Sequence, residues 1–134
     1  YIDTLFIKLS NDHQMKITAF MILLTAPVAA QDFALRDSDH VPSRASLLDT
    51  ILDRDLEYFD GGISRYDTGG AYAWTYADNN GGGVHTGVHD IGDAGMVCVT
   101  YDSGPERCDM FVMSGDRLVL LTDSGERYPV RDIR

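Results

Sequence analysis

The stretch MVCVTYDSGPERCDMFV, residues 96–112, contains both cysteines of the chain and decides the fold that the sequence predicts. Val97 and Val99 occupy alternate positions, as in a strand, and RCDMFVM begins a second strand after the turn cluster DSGP. A hairpin folded about Ser103 places Cys98 opposite Cys108, where cross-strand Cβ atoms lie about 4.5–5.5 Å apart. A disulfide requires only a small adjustment from that distance.

We expect this pair to be a structural disulfide. Two cysteines in an oxidising compartment most simply form one bridge. A zinc site needs two further ligands at matching spacing, and a redox site usually has Cys-x-x-Cys; the sequence contains neither pattern. Closing so short a loop should stabilise the domain by about 2–3 kcal/mol.

The hairpin belongs to a longer series of short strands separated by glycine-containing turns. We predict strands at LEYF (56–59), ISRY (63–66), AYAWTYA (71–77), VHTGVH (84–89), MVCVTY (96–101), RCDMFVM (107–113), RLVLLT (117–122) and ERYPVR (126–131). Turns this short join antiparallel neighbours, so the sequence predicts a mainly β, up-and-down meander of about eight strands. Eight strands can close into a small barrel, and a strongly curved open sheet is the alternative. RLVLLT is apolar on both faces and should be covered on both sides.

One N-terminal amphipathic helix is predicted within SRASLLDTILDRDLEYF, residues 43–59. An apolar stripe at helical spacing supports it: Leu48, Ile51, Leu52 and Leu56. Ser46 with Asp49 resembles a capping box, and we expect the helix to end near Arg54. Residues 31–42 should form an irregular lead-in.

The segment MKITAFMILLTAPVAAQ, residues 15–31, has the pattern of a secretory signal peptide. Lys16 supplies a positive charge, residues 17–25 are mostly apolar, and Val28-Ala29-Ala30 offers a cleavage site. We therefore expect a signal peptide at 15–30 and one exported domain at 31–134, periplasmic or secreted. No lipobox cysteine follows, so we expect no stable membrane anchor after cleavage. Residues 1–14 are interpreted as a non-native or misassigned upstream segment.

The charge of the chain narrows the choice of partners. Its formal net charge is −10, and residues 31–134 contain nine Arg and no Lys against sixteen Asp and three Glu. Such a surface repels phosphate backbones and anionic lipids, which argues against nucleic acid and membrane surfaces as partners.

Three stretches carry a resemblance to a family: DGGISRYDTGGAYAWTYA (60–77), GVHDIGDAGMVCVTYDSGPERCDMFV (87–112) and GDRLVLLTDSGERYPVR (115–131). The chain resembles small exported alphaproteobacterial proteins of unknown function, with a helix followed by a meander containing a Val-Cys…Arg-Cys-Asp hairpin. His89 departs from the pattern, in which Trp is expected. The resemblance implies a fold and supplies no site residues.

The aromatic residues of AYAWTYA form one candidate ligand surface. Tyr72, Trp74 and Tyr76 should project from the same face of the strand, with small residues on the other face. They form either a stacking wall for a ligand or the filling of a small barrel. We favour core filling, because a domain this small has few other large side chains to bury.

A second candidate is the loop DSGERY, residues 123–128. It resembles the Ser-Gly-x-Arg-Tyr loop of the membrane-bound and periplasmic inhibitors of C-type lysozyme, which are small exported barrels with a disulfide. In that family the Ser and the basic residue enter the lysozyme cleft, which points to Ser124 and Arg127. An acidic protein suits cationic lysozyme electrostatically.

Catalytic and metal-binding patterns are weaker. Asp67, Asp102 and Asp123 each begin an Asp-Thr/Ser-Gly tripeptide, as in aspartic proteases, but each also falls where a hairpin must turn. His85 and His89, four apart on a strand, lie about 13 Å apart, too far to share one ion. We read all three tripeptides as turns and predict no metal and no cofactor.

These observations favour a non-catalytic periplasmic binding or protein-interaction module, whose partner is a protein or a small apolar ligand. A lysozyme inhibitor acting through Ser124 and Arg127 is the first alternative. A dimeric hydrolase with a dyad of aspartates is the second. The sequence leaves the oligomeric state open.

Overall fold

The computed structural model describes residues 32–134, so the predicted upstream segment and signal peptide lie outside the described residues. The described residues contain one α-helix, α1 at Arg44–Ile51, and a 3-10 turn at Asp78–Asn80. The strands are β1 Asp39–His40, β2 Asp55–Tyr58, β3 Ile63–Tyr66, β4 Ala71–Thr75, β5 Val84–Ile91, β6 Met96–Tyr101, β7 Glu106–Ser114, β8 Arg117–Leu121 and β9 Arg127–Ile133. Each of the eight predicted strands therefore exists, with ends that differ by at most two residues.

The eight strands β2–β9 form a closed antiparallel barrel. Consecutive strands pair along the whole meander, and β9 returns to pair with β2, where Glu57 opposes Asp132. A barrel of this size has no free sheet edge along its wall. Of the two predicted architectures, the structure is the barrel. The short strand β1 is an addition, pairing with the end of β7 beyond β6.

Alternation along the strands divides the wall into an inner and an outer face. Val97, Val99 and Phe111 point inwards and are almost completely buried. The strand β8 is buried on both faces, as predicted, because residues outside the barrel cover its outer face. Its outward residues Val119 and Leu121 pack in a second apolar cluster with Phe33 from the lead-in.

The lead-in, residues 32–42, is thus a strap across the outer face of the wall. Arg127 fixes it by donating to the Ala34 carbonyl at 2.7 Å and to both Asp39 carboxylate oxygens at 2.6 and 2.9 Å. The prediction of an irregular lead-in is wrong at Asp39–His40, which forms β1. Two residues are too few to produce a periodic signal.

Helix α1 closes one end of the barrel with Leu47 and Ile51, both 0% exposed. The predicted capping box is wrong, because Ser43 is the N-cap and its Oγ accepts from the Ser46 amide at 3.2 Å. The predicted end near Arg54 is also wrong. Leu52 already has an extended backbone, so Leu56 belongs to β2 and is not part of the helical stripe.

Candidate functional site

The opposite end of the barrel, which the helix does not cover, contains a cavity of about 300 Å³. Five aromatic rings line it: Tyr58, Trp74, Tyr76, Tyr101 and Tyr128. The β2–β3, β4–β5 and β8–β9 connections form its rim, and Arg107 from the start of β7 reaches its wall. We call this feature the mouth cavity. Its volume is at the lower end of the range typical of small-molecule sites.

The structure divides the predicted aromatic stripe between the core and the mouth cavity. Tyr72 is 2% exposed and packs inside the barrel, Trp74 is half-buried, and Tyr76 is 40% exposed at the rim. The Trp74 ring lies 5.6 Å from Tyr58 and meets Tyr76 nearly perpendicularly, with ring centroids 5.7 Å apart. Core filling, one of the two alternatives for the stripe, therefore describes Tyr72, whereas an exposed aromatic wall describes Tyr76.

Two glycines permit close approaches near these rings, one to the Trp74 ring and one to the neighbouring backbone. A Cβ atom on Gly62 would lie 2.5 Å from the Trp74 ring, so the turn before β3 permits the indole to lie against it. Gly87 is buried between Tyr72 on β4 and Tyr101 on β6, and a Cβ there would lie 2.2 Å from the Thr100 carbonyl. The rings of Tyr72 and Tyr101, on the strands either side of Gly87, meet edge to face at 5.9 Å.

An ion pair lies beneath the aromatic rings. Arg107 Nε is 2.6 Å from Asp109 Oδ2; the Asp109 side chain is 2% exposed, and that of Arg107 is 39% exposed. Asp109 Oδ1 and the Tyr72 hydroxyl are buried without a hydrogen-bond partner among the described residues. Burial raises the pKa of the Asp109 carboxyl above its usual value, although the neighbouring Arg107 opposes this effect.

Sequence reasoning missed this ion pair, although the strand pattern contains its signal. Arg107, Asp109 and Phe111 occupy alternate positions, so a buried Phe111 requires the other two to face inwards as well. The buried phenols nearby remain neutral, because burial raises the pKa of Tyr58 and Tyr72 well above the usual value.

The rim of the mouth cavity is acidic. Asp60, Asp123 and Glu126 line it and are exposed. Hydrogen bonds fix two of these carboxylates: Asp60 Oδ1 accepts from the Gly62 amide at 2.8 Å, and Glu126 Oε2 accepts from the Tyr128 hydroxyl at 2.9 Å. The site therefore combines aromatic walls with negative charge at the entrance.

Ser124 and Arg127, the residues of the predicted inhibitor loop, have different environments. Ser124 is exposed on the rim of the mouth cavity, and its Oγ lies 3.1 Å from Thr122 Oγ1. The Arg127 side chain is 13% exposed and bonds to Asp39 on the outer wall. The structure does not bring these two side chains together on one surface.

The three Asp-Thr/Ser-Gly tripeptides lie in hairpin turns, with Gly69, Gly104 and Gly125 at positive φ. Asp67 lies at the helix-covered end, where its Oδ1 accepts from Arg65 Nε at 2.7 Å, whereas Asp123 lies at the mouth. Asp67 and Asp123 therefore lie at opposite ends of the barrel and differ in their partners.

The histidines are also separated. His85 contacts the Tyr76 ring at the mouth, with centroids 5.3 Å apart. His89 lies at the helix-covered end, where its Nε2 is 2.8 Å from the Asp67 carbonyl beside a second cavity of about 250 Å³. In residues 32–134 there is no group of three or more His, Cys, Asp or Glu residues placed to hold a metal ion.

The β6–β7 hairpin has the predicted register and bridge. Cys98 opposes Cys108 directly, their Cα atoms are 4.0 Å apart, and they form a disulfide. No helix in the described part of the chain has the length and apolar character needed to cross a membrane. The chain matches no family model, no curated protein and no solved structure.

Proposed function

We propose that this protein is a non-catalytic, exported binding module that holds a small ligand in the mouth cavity. The single observation that carries the proposal is the contrast between that cavity and the rest of the interior. Buried side chains such as Tyr66, Tyr72 and Phe111 fill the barrel elsewhere, whereas at the mouth aromatic side chains line an open space of about 300 Å³. Concave, aromatic-lined spaces in barrel mouths are common ligand sites.

Three features support this proposal. Tyr76 and Tyr128 are 40% and 42% exposed at the mouth, so part of each ring is free to contact a ligand. The surrounding barrel is closed and has a disulfide in its wall, which favours a preformed site. The disulfide also supports export to the periplasm or the exterior, since such bonds persist in oxidising compartments.

Titration with the neutral apolar dye N-phenyl-1-naphthylamine tests the proposal. Trp74 is the only tryptophan of the chain and lines the cavity, so a dye bound there should quench its emission saturably. Tyr76→Ala should weaken dye binding at least threefold. Phe59→Ala should not, because Phe59 is 61% exposed but lies outside the cavity. Absence of saturable quenching, or equal loss in the two variants, overturns the proposal.

The two alternatives remain separate proposals with their own tests. Inhibition through Ser124 and Arg127 requires tight binding to a C-type lysozyme that is lost in both Ser124→Ala and Arg127→Ala. The buried ion pair of Arg127 with Asp39 weighs against it. A hydrolase with an aspartate dyad requires a dimer and activity on unfolded protein that Asp67→Asn abolishes.

A further inference from the structure

The charges around the mouth cavity are unbalanced. Within residues 32–134, none of the rim carboxylates Asp60, Asp123 and Glu126 takes part in an ion pair. Arg107 is the cationic residue on the wall, and Asp109, 2.6 Å away, compensates its charge. A ligand entering the mouth therefore meets a net negative field, which the overall charge of −10 reinforces.

The aromatic walls also suit a cation. The face of a Tyr or Trp ring attracts a cation within about 6 Å of its centroid, most strongly where water is excluded. Trp74 and Tyr76 both line the cavity and meet at 88°, and we call this pair of rings the Trp74–Tyr76 corner. Tyr58 extends this corner inwards, with its ring 5.6 Å from that of Trp74.

The rim and the aromatic walls favour different kinds of cation. A primary ammonium presents three N–H donors and needs acceptors for them. The rim carboxylates Asp60, Asp123 and Glu126 can accept such donors, whereas the faces of the Trp74 and Tyr76 rings offer no strong acceptor. A fully alkylated ammonium has no N–H donors, and aromatic rings with nearby negative charge are sufficient to bind it.

We propose that the mouth cavity binds a small organic cation with a trimethylammonium-type head, held by the Trp74–Tyr76 corner beneath the rim carboxylates. This inference rests on the proposed function, since it names the ligand class of the same site. A ligand with only negative charge would have to pass three carboxylates to reach a guanidinium that is already paired.

Choline and its neutral isostere 3,3-dimethyl-1-butanol provide the direct test, because they differ mainly in the charge of the head. Titrations followed by Trp74 emission should show choline binding at least tenfold tighter. Raising salt from 20 to 500 mM should weaken choline binding, as expected for exposed carboxylates, and leave the isostere unchanged. The matched anion 3,3-dimethylbutyrate should bind more weakly than either.

Substitutions at the rim test whether its carboxylates cause the preference for choline over the neutral isostere. Asp123→Asn should weaken choline binding three- to tenfold and leave the isostere unaffected. Asp116→Asn is the matched control, because Asp116 is exposed in the β7–β8 turn at the helix-covered end and its substitution removes the same charge. Equal loss in both variants would indicate a general charge effect and contradict the proposed site.

The outcomes separate the two proposals. If N-phenyl-1-naphthylamine binds but the isostere or the anion binds as tightly as choline, the cation inference fails and the proposed binding function stands. If neither the dye nor choline quenches Trp74 emission saturably, the cavity holds no small ligand and both proposals fail. Binding of soluble glycerophosphocholine without sedimentation on phosphatidylcholine vesicles identifies a free ligand; sedimentation identifies the same head on a lipid.

Discussion

The two ends of the barrel differ in how their interior is filled. At one end Leu47 and Ile51 of α1 are completely buried against the strands. At the other end Tyr76 and Tyr128 remain partly exposed around a cavity, and an ion pair lies below them. We infer that packing at the helix-covered end supplies much of the stability, and the mouth is the end at which we propose the binding site.

Ile51→Ala tests the stabilising role of the helix and should have the largest effect. Ile51 is 0% exposed, and its truncation leaves a cavity that the closed barrel wall restricts from collapsing. We expect a loss of about 2–5 kcal/mol in the free energy of unfolding. Urea denaturation measures it, with Leu35→Ala, at a position 53% exposed on the lead-in, as control. A loss below about 0.5 kcal/mol would show that the helix is not a structural cap.

Removing the disulfide should have the next largest effect. The bridge closes a short loop in the hairpin that positions Tyr101 and Arg107 at the mouth. Replacing Cys98 and Cys108 together by Ser should cost about 2–3 kcal/mol, because the unfolded chain regains the entropy of the open loop. Reduced wild-type protein should show the same denaturation midpoint as the double variant. A midpoint equal to that of the oxidised protein would mean that the barrel alone fixes this hairpin.

The strands and the bridge were predictable because their signals are local. Alternation and glycine turns mark each strand, and the position of the turn fixes Cys98 opposite Cys108. The pairing of β2 with β9 is not local, because it joins residues more than 70 positions apart, so a curved open sheet remained a reasonable alternative.

The mouth cavity was only partly predictable for a related reason. The sequence indicates that Trp74 and Tyr76 share a face, but their exposure depends on which end of the barrel the helix covers. The choice of Leu47 over Leu48 as the buried helix residue depends on how α1 sits on the strands, which helical periodicity does not determine. Turn residues such as Asp60 and Asp123 become a rim only when the barrel closes.

Arg127→Ala should have the third largest effect and tests the outer strap. The substitution leaves the buried Asp39 carboxylate without its guanidinium partner and releases the Ala34 carbonyl. We expect a loss of about 1.5–3 kcal/mol, the range for hydrogen bonds to charged groups. Arg127 lowers the pKa of Asp39, so this contribution is present above the usual aspartate pKa and is lost as pH falls through the lowered value. Hydrogen exchange in β7 and β8 should rise in the variant; unchanged exchange would contradict a role for the strap.

Asp109→Asn should have the smallest effect on the free energy of unfolding. It tests whether burying the Asp109 carboxylate below the mouth cavity lowers stability. Because the pKa of Asp109 is raised in the folded protein, there is a pH range just above the usual aspartate pKa in which the folded state keeps a proton that the unfolded chain has released. Wild-type stability should therefore fall relative to the variant as pH rises above the usual aspartate value, with the full difference present above the raised pKa. Denaturation at pH 4 and pH 8 measures this change. The opposite slope would mean that attraction to Arg107 outweighs burial, and that the ion pair stabilises the mouth as the helix stabilises the other end.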